Sequence, residues 1–417
     1  MKNKYTILFS GAALFALLFL AACSKDNAPG KQSTNSYLIS ATQAGEVQPA
    51  TLQTLLAADP GYGYAKYASL PKTHVTLYRV SYKTQYPEGK TITASGVFFI
   101  PDNYNAALPA VVYTHGTIGK GDTPSAHLNA PLNYTMEVML CAVACSSFGC
   151  AVVMPDYVGY GDSQSIVHPY IHGQSLGQAS FDMVQAFREY AAKAGLPFDG
   201  QLLITGYSEG GYAAVALQKK VQESSGSGLH AVKTVAGSGP YDNVAFAQEL
   251  LSQNAPLDPT MMATYLWAMY MYKTDFGYSK SYAQIFSDAD NALLQSTGYN
   301  LAYLAPVNLT ALDTNPAQLF RPEFISGVVG DTGTGTDTEF LNILSENSLT
   351  DFAPADSLVL VCGSADNFVY PVNTLNAYNA MHDKGCKVQM YEFTGTDHDT
   401  TLPCYLDILL GRLEGLQ

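Results

Sequence analysis

The chain has 417 residues, of which 47% are apolar and only 13% charged. That balance excludes a disordered, collagen-like or coiled-coil protein, and the length suits one large or two ordinary domains. A net charge of −14 argues against a nucleic-acid partner. At the N-terminus Lys2 and Lys4 precede an apolar run over residues 7–22. A basic start, a short apolar stretch and small residues before a cut site read as a secretory signal. The run is short for a membrane-spanning helix, which needs about 20 residues.

The junction Leu20-Ala21-Ala22-Cys23 looks like a bacterial lipobox, in which cleavage leaves Cys23 as a lipid-modified N-terminus. The expectation is an exported protein, lipid-anchored to the bacterial cell envelope at the outer membrane. Residues 23–36 are polar with Pro29-Gly30, as suits a flexible tether. Six further cysteines follow: Cys141, Cys145, Cys150, Cys362, Cys386 and Cys404. An oxidising compartment permits disulfides among them, and free buried thiols are the alternative. No Cys-x-x-Cys pair is present, so no metal site is expected.

Extended segments over 74–83 and 91–100 come first, separated by Pro87-Glu88-Gly89. Short apolar runs follow at 110–113, 151–154, 201–205, 231–236 and 358–362, with a further strand candidate at 388–393. These runs are continuous rather than alternating, as strands covered on both faces are. Helices are expected over 176–194, 211–223, 372–384 and 402–413. Alternating strands and helices imply an α/β fold with a mostly parallel sheet. The rhythm breaks between 243 and 352, where helical patterns and aromatics predominate, and a helical insertion is expected there. The domains are therefore read as signal 1–22, tether 23–36, core 37–242, helical cap 243–352 and core 353–417. The acidic segment 331–339 is read as a solvated turn rather than a calcium loop, because other loop ligands are missing.

Gly206-Tyr207-Ser208-Glu209-Gly210-Gly211 follows an apolar run and opens a helical stretch. Gly-x-Ser-x-Gly in that strand–turn–helix context is a nucleophile elbow, with Ser208 raised on a strained turn. A serine hydroxyl needs a neighbouring base. Of eight histidines, only His398 follows the last strand candidate, in a loop ahead of the final helix. Asp366 follows the strand ending near Cys362 and can fix the tautomer of that imidazole. Oxyanion donors are expected from the amides of Glu209 and, in the loop Thr114-His115-Gly116-Thr117, of Thr117.

With Pro155-Asp156-Tyr157-Val158-Gly159-Tyr160-Gly161-Asp162-Ser163 and His168-Pro169-Tyr170, these motifs resemble the α/β-hydrolase superfamily, within it the secretory-lipase branch and its bacterial relatives. The resemblance covers residues 75 to the C-terminus. It implies an eight-stranded, mostly parallel sheet with helices on both faces, a cap after the sixth strand, and ester hydrolysis without metal or cofactor. The cap is expected to supply an acyl or aryl pocket through Tyr265, Trp267 and Met271. Asp156 and Tyr157 could line that pocket or brace a loop, and His115 and Tyr207 are further pocket candidates. The function expected is a serine-dependent carboxylesterase or lipase acting on a small-molecule or lipid ester. Alternatives are a peptidase of the same fold, a polysaccharide deacylase or hydroxycinnamoyl esterase, and an inactive surface lipoprotein that binds glycan or lipid.

Overall fold

The computed structural model describes residues 36–59, 61, 63–104, 107–128, 135–303, 311–330 and 335–413. The expected signal, Cys23, almost all of the tether and residues 331–334 of the acidic turn lie outside the described residues. The strands are β1 (Leu38–Val47), β2 (Val75–Gln85), β3 (Thr91–Pro101), β4 (Ala110–Thr114), β5 (Ala151–Pro155), β6 (Gln201–Tyr207), β7 (His230–Gly237), β8 (Ser357–Gly363) and β9 (Val388–Phe393). They form one sheet in the order β1-β2-β3-β5-β4-β6-β7-β8-β9. β1, β2, β3 and β5 pair antiparallel, and every pairing from β5 through β4 to β9 is parallel.

Nine strands are present among the described residues where eight were expected. The additional one, β1, is a polar edge strand with only its end residues Leu38 and Val47 buried, so it carries no apolar pattern. Its inclusion moves the insertion from the sixth strand to the seventh. The central runs behave as doubly covered strands. Val112, Val153, Ile204 and Leu360 point to one core, while Val111, Val152, Leu203 and Val361 point to the other.

Helices α1 (Pro49–Ala57), α2 (Met136–Phe148), α3 (Gly173–Ala194) and α4 (Glu209–Glu223) precede the insertion. The insertion between β7 and β8 holds α5 (Asn243–Leu251), α6 (Pro259–Asp275), α7 (Tyr282–Ile285), α8 (Asp288–Ser296), α9 (Pro316–Leu319), α10 (Pro322–Val329) and α11 (Thr338–Glu346). α12 (Val372–Asp383) and α13 (His398–Leu413) close the chain. α3, α4 and α12 cover one face of the sheet, and α1, α2 and α13 cover the other. α13 starts at His398 rather than near residue 402. The Asp397 carboxylate accepts from the Thr400 amide at 2.9 Å and caps the helix a full turn before Pro403. The insertion has a core of its own, built on Leu266, Phe286, Phe324 and Phe340.

Candidate active site

The parallel strands end on one rim, and the loops leaving β4, β6, β8 and β9 bring the predicted residues there. Ser208 joins β6 to α4 with φ 59° and ψ −127°, a left-handed strained conformation costing roughly 1–3 kcal/mol. Its amide donates to the Gly237 carbonyl at 2.9 Å, which helps hold that geometry. The flanking glycines are required by space. A Cβ on Gly206 would lie 2.3 Å from the Gly210 carbonyl oxygen, and one on Gly210 would lie 2.1 Å from that of Thr114.

The Ser208 hydroxyl lies 3.0 Å from His398 Nε2, and His398 Nδ1 lies 2.8 Å from Asp366 Oδ2. The other oxygen of Asp366 accepts from the amides of Phe368 (3.0 Å) and Val369 (2.8 Å), which fixes the carboxylate in its turn. With a carboxylate at Nδ1, the imidazole keeps its proton there and offers Nε2 as an acceptor. Tyr207 donates its hydroxyl to the His398 carbonyl at 2.6 Å and packs its ring 5.2 Å from the imidazole. Burial pushes the Tyr207 phenol up, so it stays a donor at neutral pH. Asp397 is committed to Thr400.

The loop after β4 passes beside the nucleophile, for a Cβ built on Gly116 would come 3.9 Å from that of Ser208. Glu137 anchors this loop by accepting from the Gly116 amide at 2.9 Å. Thr117 Oγ1 and the Tyr170 hydroxyl are 2.8 Å apart. Among the described residues, the amides of Thr117 and Glu209 have no backbone acceptor, so both are free to meet an external oxygen.

A cleft of about 800 Å³, counting its open mouth, rises from Ser208 and Glu209 into the insertion. Phe246, Leu250, Ala268, Met269, Phe340 and Leu344 give it apolar walls. Tyr265 lines it too, and donates its hydroxyl to the Phe368 carbonyl at 2.6 Å. Trp267 and Met271 do not reach the cleft. On α6, Tyr265, Ala268, Met269 and Tyr272 share one face, while Trp267 and Met271, offset by two and six residues from Tyr265, point to the main core.

The remaining pocket candidates lie behind the rim. Asp156 is fully buried; it accepts from the hydroxyls of Ser95 (2.6 Å) and Ser125 (2.5 Å) and from the Ser125 amide (3.0 Å). It braces its loop, and burial pushes its carboxyl upward. Tyr157 donates to the His115 carbonyl at 3.0 Å and packs on that imidazole, with ring centroids 4.1 Å apart. Neither ring lines the cleft, and Tyr207 lies beneath His398.

Sequence reasoning missed the carboxylate-holding amides of Phe368 and Val369, and the α5 wall. The helical spacing of Phe246, Ala247, Leu250 and Leu251 was the available signal for that wall. All six described cysteines are free thiols. Among the described residues no cluster of three metal-binding side chains occurs, and no helix is long and apolar enough to cross a membrane. Asp337 caps α11 and pairs with Lys280 at 2.7 Å.

Residues 126–254 match the family model described as Secretory lipase, a description in keeping with export. No curated protein matches the chain in sequence. Among solved structures, a protein of Legionella pneumophila named as a hydrolase is 26% identical, with 91% of this chain and 98% of that one covered and a TM-score of 0.76. The rice cell wall degrading esterase LipA from Xanthomonas oryzae is 22% identical over 91% of this chain and 96% of that one, with a TM-score of 0.73. Lipase A of Candida antarctica in its closed state is 14% identical over 92% and 83%, with a TM-score of 0.65. By its sheet, its helical layers and these likenesses, the chain has an α/β-hydrolase fold, and over residues 126–254 it is similar to the secretory lipases.

Proposed function

We propose that the enzyme is a serine esterase or lipase that works through an acyl-enzyme, with Ser208 as nucleophile, His398 as general base and Asp366 as the carboxylate that orients it. The observation carrying this reading is one imidazole held between a hydroxyl at 3.0 Å and a carboxylate at 2.8 Å. Ser208 gives its proton to His398 Nε2 as its oxygen attacks the ester carbonyl. The oxyanion that forms accepts from the amides of Glu209 and Thr117. His398 then protonates the departing alcohol, and a water deprotonated by the same nitrogen releases the acid.

The substrate follows from the cleft. Apolar walls suit an acyl chain or an aryl acid, and the hydroxyls of Tyr170 and Tyr265 are already bonded. The Glu209 carboxyl, which could anchor a substrate amine, is instead paired with His168, which favours esters over aminoacyl peptides. In this reading residues 243–352 form a cap on the core segments 37–242 and 353–417. Cys23 carries the lipid that holds the enzyme to the envelope, on a tether over 23–36.

A fluorophosphonate probe is expected to label the wild type and spare Ser208→Ala, and equal labelling of both overturns the nucleophile. Nitrophenyl esters of rising chain length and a feruloyl ester, run beside aminoacyl anilides, test the class. Faster turnover of anilides than of esters overturns it.

A further inference from the structure

Both proposed oxyanion donors belong to residues held by one short stretch, His168-Pro169-Tyr170. Tyr170 holds Thr117 through the hydroxyl pair described above. His168 Nε2 lies 2.7 Å from Glu209 Oε1, and both side chains are completely buried. His168 Nδ1 lies 2.6 Å from the Val158 carbonyl oxygen. A carbonyl only accepts, so Nδ1 carries a hydrogen. A neutral ring then has a bare Nε2, which cannot face a bare carboxylate oxygen at that distance. One more proton must lie between them, on the acid or on the ring. Either way the pair is uncharged as a unit.

Among the described residues, no other side-chain hydrogen bond reaches the acid. Glu209 Oε2 is buried without a hydrogen-bond partner. Around the pair stand the rings of Tyr157, Tyr160, Tyr170 and Trp267. Burial holds the three phenols protonated. His172 is pushed down to about 4 by burial and then by His168, so it is uncharged at neutral pH. Glu137 lies beyond Tyr157 and is committed to the Gly116 amide. Both nitrogens of His115 face backbone carbonyls.

We propose that His168 is a positioning residue whose shared proton cancels the charge of Glu209 beneath the oxyanion site. This rests on the Ser208 reading above. Without that proton a carboxylate would stand one residue from the nucleophile, where negative charge develops on the substrate oxygen, and would raise the barrier.

The test compares H168Q with the double variant H168Q/E209Q, using kcat and KM for a nitrophenyl ester across pH. H168Q is expected to lose about a hundredfold in kcat at pH near 8 with little change in KM. The double variant, which has no charge to cancel, is expected to recover at least about a tenth of wild-type kcat. Equal kcat for the two variants at every pH means a merely structural histidine and overturns the proposal. If H168Q does not fold, E209Q alone decides: with no charge to cancel it should keep kcat within about tenfold of the wild type, and a loss of about a hundredfold overturns the proposal. Fluorophosphonate labelling of the wild type is run alongside. Failure there removes the Ser208 reading, whereas labelled protein with equal variants removes only the role of His168.

Discussion

Asp366→Asn isolates what the carboxylate contributes. One of its oxygens is fixed by two amides, at 3.0 and 2.8 Å, and the other faces His398 Nδ1 at 2.8 Å. An asparagine at 366 must point its oxygen at the two amide donors, because the reverse orientation sets its NH2 against both. The NH2 group then faces Nδ1, which has to accept, so the imidazole proton moves to Nε2. There it meets the Ser208 hydroxyl and cannot take a proton from it. A comparable tautomer reversal lowers kcat by about 10⁴-fold, or roughly 5 kcal/mol of transition-state stabilisation. The assay is steady-state hydrolysis of a nitrophenyl ester, with thermal unfolding as the control for folding, since the substitution is isosteric. A kcat within about tenfold of wild type would refute the reasoning and send the orienting role to another acid.

Three further outcomes are expected. Gly210→Ala puts a methyl group 2.1 Å from the Thr114 carbonyl oxygen and is expected to destabilise the fold by roughly 1–3 kcal/mol; an unchanged urea midpoint contradicts this. Ala268→Phe fills the cleft wall and is expected to lower kcat/KM for octanoyl relative to acetyl esters by at least about tenfold; an equal loss on both esters would place the acyl chain elsewhere. Burial pushes the Asp182 carboxyl up from 3.8 to about 6, so between those values the folded protein holds a proton that the unfolded chain has released. Its contribution to stability therefore falls as pH rises from about 4 to about 6, by at most about 3 kcal/mol. Urea midpoints of the wild type and Asp182→Asn across that window are expected to differ in slope, and parallel curves would sink the assignment.

What the sequence showed and what it hid divide along the range of the interactions. The elbow was readable because its requirement is local: glycines two residues either side of Ser208 and a strand running into a helix. The positions of Asp366 and His398 were readable because loops leaving parallel strands gather on one rim. β1 was hidden because an edge strand of polar residues has no apolar period to detect. α2 was missed as well; eight of its thirteen residues are buried, spread around the helix, so no one-sided stripe marks it. The same difficulty defeated the choice of Trp267 and Met271. α6 is apolar on both sides, and only the packed structure distinguishes the side facing the cleft from the side facing the sheet. The partnership of His168 with Glu209 joins residues 41 positions apart, and nothing in the local pattern of either announces it.

The bond from Tyr265 to the Phe368 carbonyl limits how freely this insertion could be exchanged for another. The residue after that carbonyl, and Phe368 itself, lend their amides to Asp366. An insertion grafted from a relative would have to bring its own donor to the same oxygen, or leave the acid's turn slack while the nucleophile stayed intact. Modules that look interchangeable in outline are here stitched together at a main-chain atom beside the acid's turn, so changes in substrate range should arise more readily by editing the walls of the existing insertion than by replacing it whole.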